Sequence, residues 1–200
     1  MLNMHNIHFD YANIPILRNI NLSIQPGTLI HIRGDNGSGK TTLLKLLAGL
    51  IPPTDGEIFY VNQNIQHDLY TYQQQICYVG HKSGVHQRLT VAEHCSLEAK
   101  YYPQAPALDV ILQQANFVAL KHTLNGLLSF GQRRRVGLSR LLMSQAIIWL
   151  LDEPFNGLDV HSIDLLMNWI HNHLQKNGMV ILTSHQPLPN ASFCHIEYIL

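Results

Sequence analysis

Charged side chains are scarce in this sequence, and neither sign is in excess. The 200 residues include 13 Lys and Arg and 13 Asp and Glu, a charged share of 13%. Soluble domains typically carry roughly 25%. Because nucleic-acid-binding surfaces usually show a basic excess, the composition gives no support for a nucleic-acid partner. The shortage fits either a surface that a partner protein covers or a surface solvated by Gln, Asn and His.

Long apolar runs are also missing. No run approaches the roughly 18 to 20 residues that a membrane-spanning helix needs, and the longest, residues 147–151 and 179–182, have the length of buried strands. Residues 1–9 lack a basic segment followed by an apolar one, so we expect no secretory signal. We therefore expect no direct membrane insertion, and any role at a membrane would depend on other subunits.

Cysteines are few, and none has metal-ligand spacing. Cys77, Cys95 and Cys194 are odd in number, which favours a reduced, cytoplasmic protein that uses them as small core residues. The 13 histidines also form no metal-binding pattern; His171 and His173, for example, are two apart and would diverge on a helix. We interpret the histidines as scattered surface residues.

Apolar segments of strand length alternate with helical patterns along the chain. We expect one domain over residues 1–200, because this length allows a single well-buried core. The pattern predicts an α/β fold with a mostly parallel sheet, N-terminal antiparallel strands and an inserted α-helical subdomain over approximately residues 82–140. The predicted strands are 2–11, 29–32, 57–61, 76–79, 147–151, 179–183 and an edge strand at 196–200; the predicted helices are 41–50, 160–176 and several between 90 and 142.

A glycine-rich segment between a predicted strand and a predicted helix matches G-x-x-x-x-G-K-[ST] at every position. Its residues are Gly34, Asp35, Asn36, Gly37, Ser38, Gly39, Lys40 and Thr41, followed by Thr42. The glycines allow backbone N–H groups to point at phosphate oxygens, and the helix N-terminus adds its positive dipole. Lys40 would reach the β- and γ-phosphates, and the Thr41 hydroxyl would ligate Mg²⁺. The motif predicts binding of a nucleoside triphosphate with Mg²⁺.

The predicted strand at residues 147–151 runs into two acidic residues, Asp152 and Glu153. A strand that is apolar throughout is buried on both faces and delivers Asp152 to the carboxyl edge of the sheet, where ligands bind in open α/β folds. Asp152 offers the hard oxygen that Mg²⁺ prefers, directly or through water. Glu153 points elsewhere and is suited to polarise an attacking water as general base. Together with the glycine-rich loop, these residues predict nucleotide hydrolysis.

Residues 128–132, Leu-Ser-Phe-Gly-Gln, resemble the LSGGQ signature of the ABC ATPase family, with Phe130 in place of one glycine. The segment lies between Lys40 and Asp152 at spacings similar to those of that family. The resemblance implies ATP as the nucleotide and a homodimer in which Ser129, Gly131 and Gln132 cap the ATP held by the opposite chain. A helix beginning here would support that role, since helix N-termini bind anions.

Further positions extend the resemblance over essentially the whole chain. Asp159 belongs to a segment that resembles the family's D-loop, and His185 occupies the place of its γ-phosphate-contacting histidine. The resemblance implies that His185 acts with Glu153 and Lys40 in catalysis. Tyr11 stands where the family stacks an aromatic ring on adenine, although a tyrosine at a strand end is also ordinary, because aromatic residues favour strands.

His81 departs from the family pattern, which usually has a glutamine near Mg²⁺ and the attacking water. Imidazole is a poorer Mg²⁺ ligand than an amide oxygen, so we expect any metal contact of His81 to run through water. His81 and residues 149–155 and 184–188 are similar to one branch of the family, the ATP-binding subunits of the haem exporter in bacterial c-type cytochrome maturation. This implies integral membrane permease subunits as partners and a peripheral location at the cytoplasmic face of the inner membrane.

Three alternatives stay open from the sequence. They are the ATPase subunit of an ABC transporter for another substrate, a soluble ABC ATPase acting on nucleic acid or ribosomes, and a non-catalytic regulatory domain. The second is disfavoured because such ATPases usually carry two ATPase domains in one chain or a long coiled-coil insertion, whereas this chain has one domain. The third is disfavoured because Lys40, Asp152, Glu153 and His185 are all present. Residues 133–135, three arginines in a row, are interpreted as a solvated helix face behind the signature.

Overall fold

The computed structural model describes residues 1–185, 187–188 and 195–200. The strands, numbered in chain order, are β1 (Leu2–Tyr11), β2 (Ile14–Ile24), β3 (Leu29–Arg33), β4 (Asp55–Tyr60), β5 (Gln63–Asn64), β6 (Ile76–Val79), β7 (Ile148–Asp152), β8 (Met179–Thr183) and β9 (His195–Ile199). The α-helices are α1 (Lys40–Leu47), α2 (Leu69–Gln74), α3 (Val91–Ala99), α4 (Leu108–Gln114), α5 (Phe130–Leu138), α6 (Arg140–Met143) and α7 (Val160–Gln175), with short 3₁₀ helices at Val118–Leu120 and Asn125–Leu127.

The central sheet has the strand order β6-β7-β8-β3-β9, and each neighbouring pair is parallel. Strands β7 and β8 are buried along their whole length, as expected for a parallel sheet covered on both faces. Strand β9 lies at one edge. The predicted parallel α/β core is therefore confirmed.

The two faces of this sheet contribute to two apolar cores. On one face, Val180 and Leu182 pack with Ile170 of α7 and with residues of the helices between β6 and β7. On the other face, Ile181 packs with Leu43 of α1 and with the N-terminal sheet. Because successive residues of a strand point to opposite faces, β3, β6, β7 and β8 each contribute to both cores.

A second, antiparallel sheet has the order β2-β1-β4-β5 and confirms the predicted N-terminal antiparallel strands. Strand β2 was not predicted. Its pairing with β1 is interrupted by register shifts between Met4 and Ile7 and further along, and Asn19 has a φ of 51°. Such irregularities break the simple two-residue alternation by which strands are identified in a sequence.

Between β6 and β7 the chain forms the helices α3 to α6, in agreement with the predicted helical insertion. Helix α3 begins with a capping box in which the Thr90 hydroxyl accepts from the Glu93 backbone N–H and the Glu93 carboxylate accepts from that of Thr90. Over the described ranges, no helix is long and apolar enough to cross a membrane. Cys77 and Cys95 are free and buried, whereas Cys194 lies outside the described residues.

Candidate functional site

A cavity of about 460 Å³ opens at the carboxyl ends of the central strands. The loops that follow β3, β6, β7 and β8 all contribute to its wall, which is where ligands bind in open α/β folds. Its lining residues are Asn36, Gly37, Gly39, Lys40, Thr41, Thr42, His81, Asp152, Glu153, Asn156 and His185. The structure thus brings together four sequence segments that were predicted separately.

The glycine-rich loop curls tightly before α1. Gly39, which caps α1, has a φ of 101°, and a Cβ there would lie 2.7 Å from Leu17 Cδ2, so only glycine fits. The Lys40 ammonium is buried against the loop and donates to the carbonyl oxygens of Gly34 at 2.7 Å and Asp35 at 2.8 Å. An ammonium has three N–H donors, so one remains to face the cavity.

Asp152 is held between two hydroxyl groups and is 1% exposed. Thr41 Oγ1 donates to Asp152 Oδ2 at 2.9 Å, and Thr183 Oγ1 donates to Asp152 Oδ1 at 2.9 Å. A hydroxyl beside a carboxylate at the edge of this cavity is a donor set of hard oxygens, which suits Mg²⁺ bound jointly with phosphate and water. Across the described ranges, no group of three or more His, Cys, Asp or Glu side chains is placed to hold a metal ion.

Glu153 has a backbone conformation that is uncommon for its residue type, with a φ of 48°. Non-glycine residues in this region are strained and concentrate at functional sites. Its backbone N–H donates to Thr183 Oγ1 at 2.9 Å. Its Oε1 lies 3.1 Å from His185 Nε2, within ion-pair distance but without the alignment of a hydrogen bond. Gln186, which follows His185 in the sequence, lies outside the described ranges.

Thr183 contacts the two acidic residues of the site but was not among the predicted site residues. It is fully buried and its single hydroxyl contacts both acidic residues of the site, as donor to Asp152 and as acceptor from Glu153. The register explains the contact, since Thr183 of β8 is the direct partner of Asp152 of β7. The one signal in the sequence is a hydroxyl residue at the end of an otherwise apolar strand.

Several predicted site residues do not line the cavity. Tyr11 ends β1 and is 71% exposed. Asp159 caps α7 by accepting from the Ser162 backbone N–H at 2.8 Å. Hydrogen bonds from the Ser162 side chain and backbone lower the pKa of Asp159. Ser129 and Gln132 form a capping box at the start of α5. That helix start was predicted, and Ser129 and Gln132 are not among the residues that line the cavity.

The signature segment packs against the loop that follows Glu153. A Cβ on Gly131 would clash with the Gly157 carbonyl oxygen, and the Phe130 ring lies against Gly157 itself. Gly157 has a φ of 74°, so glycine is required there for conformation as well as for space. The start of α5 is therefore in direct contact with Gly157 and Leu158 within one chain.

Two interpretations of the sequence are wrong. Arg134 and Arg135 do not form a solvated face, because they are only 3% and 9% exposed. Not all histidines lie at the surface, since His31 and His94 are 0% and 3% exposed. Burial lowers the pKa of both imidazoles. In each case a polar residue type that is usually exposed has been packed into the interior.

Comparison with known proteins agrees with this site. A family model described as "ABC transporter" matches residues 17–156. The chain therefore belongs to the ABC transporter family, whose ATP-binding subunits bind and hydrolyse ATP. The chain is 44% identical over 203 residues to the cytochrome c biogenesis ATP-binding export protein CcmA of Legionella pneumophila (strain Lens), with 100% of both chains covered. It is 34% identical over 193 residues to the protein of that name from Salmonella typhi, covering 96% of this chain and 93% of that protein.

Solved structures show the same fold. An ABC transporter ATP-binding protein from Pyrococcus furiosus has a TM-score of 0.84 and 28% identity, covering 100% of this chain and 96% of that one. The bacterial ABC transporter cassette MJ0796, solved as a dimer, has a TM-score of 0.81 and 25% identity, covering 93% of this chain and 88% of that one. The same cassette has also been solved as a dimer in a post-hydrolysis state bound to ADP and Pi.

Proposed function

We propose that this chain is the ATP-hydrolysing subunit of a haem exporter in c-type cytochrome biogenesis, bound to the cytoplasmic face of the inner membrane through integral membrane permease subunits. The observation that carries the proposal is the cavity that collects Lys40, Thr41, Asp152, Glu153 and His185. The export role is supported by the full-length similarity to proteins named for cytochrome c biogenesis and export.

The glycine-rich loop and Lys40 hold the phosphates of ATP. Backbone N–H groups at the start of α1 would donate to the phosphate oxygens, and the remaining donor of the Lys40 ammonium would neutralise charge on them. Thr41 and Asp152 would hold Mg²⁺, which supplies charge neutralisation on the phosphate oxygens when it is bound. Hydrolysis then depends chiefly on positioning and electrostatic stabilisation.

Glu153 takes a proton from the attacking water, and His185 stands beside it. The two side chains are 3.1 Å apart at the cavity wall, so His185 can orient the carboxylate and also face the terminal phosphate. The backbone N–H of Glu153 donates to Thr183 and its carbonyl oxygen accepts from Arg134. These two hydrogen bonds reduce the motion of the base before reaction.

The proposed active form is a homodimer with two shared sites. Ser129, Gly131 and Gln132 lie at the N-terminus of α5, where they would cap the ATP held by the partner chain. Tyr11 would stack on adenine, and Asp159 would lie at the interface near the shared site. His81, which lines the cavity, would approach Mg²⁺ through water.

Sharing can be tested by mixing two inactive chains. Ser129→Arg places a bulky cation at the cap while leaving that chain's own glycine-rich loop intact, and Lys40→Ala removes a phosphate contact. A mixed dimer has one doubly damaged site and one intact site. We expect partial recovery of ATP hydrolysis over either variant alone; no recovery in verified mixed dimers contradicts independent shared sites.

The export role is tested by complementation. Cells lacking this chain should fail to assemble haem-stained c-type cytochromes, and expression of the wild-type chain should restore them. Glu153→Gln, expressed at the same level, should not restore them, because export requires hydrolysis. Normal c-type cytochromes in the deletion strain would instead support the ATPase subunit of a transporter for another substrate.

A further inference from the structure

Arg134 occupies an unusual position for a charged residue. It lies in the middle of α5, is 3% exposed, and donates to four backbone carbonyl groups. Its Nη1 donates to the carbonyl oxygens of Gly80 at 2.8 Å and His81 at 3.1 Å. Its Nη2 donates to those of Asp152 at 2.8 Å and Glu153 at 3.1 Å. One guanidinium thus bridges the loops that leave two neighbouring strands, β6 and β7.

The chemistry of this contact requires arginine. Two nitrogen atoms, each with two donors in a planar fork, match two pairs of carbonyl oxygens, whereas an ammonium is a single point of contact. Burial lowers the pKa of Arg134, while the nearby carboxylates of Asp152 and Glu153 act in the opposite direction. Burying a charge costs free energy unless hydrogen bonds or opposite charges compensate it, and here the four carbonyl groups do so. If the position served only packing, an apolar side chain could replace the arginine.

The contact also restrains the base. Glu153 has a φ of 48°, and both ends of its peptide unit are bound: the N–H by Thr183 and the carbonyl by Arg134. Arg134 therefore helps to keep Glu153 in a conformation that is unfavourable for a free chain.

The other end of the connection is the signature segment. Arg134 is in the same short helix as Phe130 and Gly131, which Ser129 caps, and this helix start packs on Gly157 of the loop after Glu153. A displacement of the β6 and β7 loops would thus move α5 both through the Arg134 side chain and through the packing of the helix start on Gly157.

We propose that Arg134 is a positioning residue that holds the catalytic turn at Asp152 and Glu153, and the His81 loop, in a fixed relation to the helix that caps the partner chain's nucleotide. This inference rests on the proposed function. It gives each chain a direct link between its own site, through Glu153 and His81, and the site of its partner, through α5.

The chain offers a matched control. Arg135 is also buried in α5, but its Nη1 donates to Ser162 Oγ at 3.0 Å and its guanidinium lies 5.0 Å from the Phe117 ring centroid. The four hydrogen bonds to the β6 and β7 loops come from Arg134 and not from Arg135. Arg134→Lys and Arg135→Lys each keep the charge and remove the fork from the same helix. Comparing them separates loss of stability from loss of positioning.

The experiment measures kcat, KM for ATP and melting temperature for the full chain and both variants. It also measures ATP-dependent dimerisation with each lysine variant placed in a Glu153→Gln chain. For Arg134→Lys we expect kcat to fall about tenfold or more, since small misplacements of a catalytic group are costly, with KM changed by less than about twofold. We also expect weaker dimerisation in ATP than for Arg135→Lys. The two melting temperatures should fall by similar amounts.

If Arg134→Lys has the same kcat or the same ATP-dependent dimerisation as Arg135→Lys, the proposal is overturned and the residue serves only stability. ATP hydrolysis by the wild-type and Glu153→Gln chains, measured in parallel, distinguishes failure of this inference from failure of the proposed function. A wild-type chain without hydrolysis, or a Glu153→Gln chain with normal hydrolysis, would refute the proposed function itself.

Discussion

Replacing Thr183 by valine would remove one hydroxyl from beneath the site without changing the shape of the side chain. The hydroxyl donates to Asp152 Oδ1 and accepts from the Glu153 N–H, each at 2.9 Å, at a fully buried position. Valine can make neither contact. The substitution therefore leaves one carboxylate oxygen and one backbone N–H without these partners, while the packing volume is kept.

The magnitude follows from these two losses. A hydrogen bond to a charged group contributes about 1.5–3 kcal/mol, and a buried donor left unsatisfied costs about 1–3 kcal/mol. We therefore expect Thr183→Val to reduce the free energy of unfolding by about 3 kcal/mol. For a chain of this size, that lowers the melting temperature by roughly 6–12 °C. Thr183→Ser keeps the hydroxyl and loses one methyl group, which costs about 1 kcal/mol.

Two assays read the effect. Urea denaturation gives the free energies of unfolding of wild-type, Thr183→Val and Thr183→Ser chains, and ATP hydrolysis at saturating nucleotide gives kcat. We expect kcat of Thr183→Val to fall about tenfold, because Asp152 and the Glu153 backbone lose their common anchor, and kcat of Thr183→Ser to stay near that of the wild type. If Thr183→Val is as stable and as active as Thr183→Ser, the hydroxyl does not organise the two acidic residues.

Three further predictions concern other parts of the molecule. Burial lowers the pKa of His173 to about 4 from 6.5, so its contribution to stability is complete above pH 6.5 and is lost as the pH falls towards 4. Urea denaturation should show that the free energy of unfolding falls by up to about 1.4 kcal/mol per pH unit in that window. The fall should be smaller in His173→Gln. If the free energy of unfolding has the same pH dependence in both chains, His173 is not the titrating group. Gly131→Ala should strongly reduce ATP hydrolysis and leave ATP binding to the isolated chain intact. The added methyl group clashes with the Gly157 carbonyl oxygen and displaces the start of α5, which is proposed to cap the partner chain's ATP. Wild-type phosphate release by this variant would contradict that role of α5. His81→Gln should keep most of the ATP hydrolysis. His81→Ala should still bind ATP, but co-expressed membrane subunits should stimulate its ATP hydrolysis less than that of the wild type. Loss of both basal hydrolysis and ATP binding in His81→Ala would instead place His81 among the catalytic residues.

The parts of the site that could be predicted from the sequence are those encoded by contiguous residues. The loop ending at Lys40 and the strand ending at Asp152 are each identified by a local pattern, and the parallel sheet then brings their ends together. The boundaries of β1, β6 and β8 coincide with the predicted ones, because each strand is a contiguous segment with its own local pattern.

The parts that could not be predicted depend on contacts between distant segments. Thr183 contacts Asp152 because β7 and β8 are neighbours in one register, which no local pattern reveals. The burial of Arg134 follows from two loops that meet at the ends of β6 and β7, whereas composition alone favours a solvated arginine. Tyr11 and Asp159 remain predictions, because their proposed roles involve nucleotide or a second chain.

The central claim is that the cavity binds ATP and that Glu153 activates the water that attacks it. Its most direct test measures bound ATP and released phosphate on the same samples of the wild-type, Glu153→Gln and Lys40→Ala chains in the presence of Mg²⁺. Glu153→Gln keeps the shape and hydrogen bonding of the side chain but removes the base, so it should bind ATP as the wild type does and release phosphate about 100-fold more slowly or worse. Lys40→Ala should lose ATP binding, because it removes a charge from the phosphates. Phosphate release by Glu153→Gln at the wild-type rate would contradict the account.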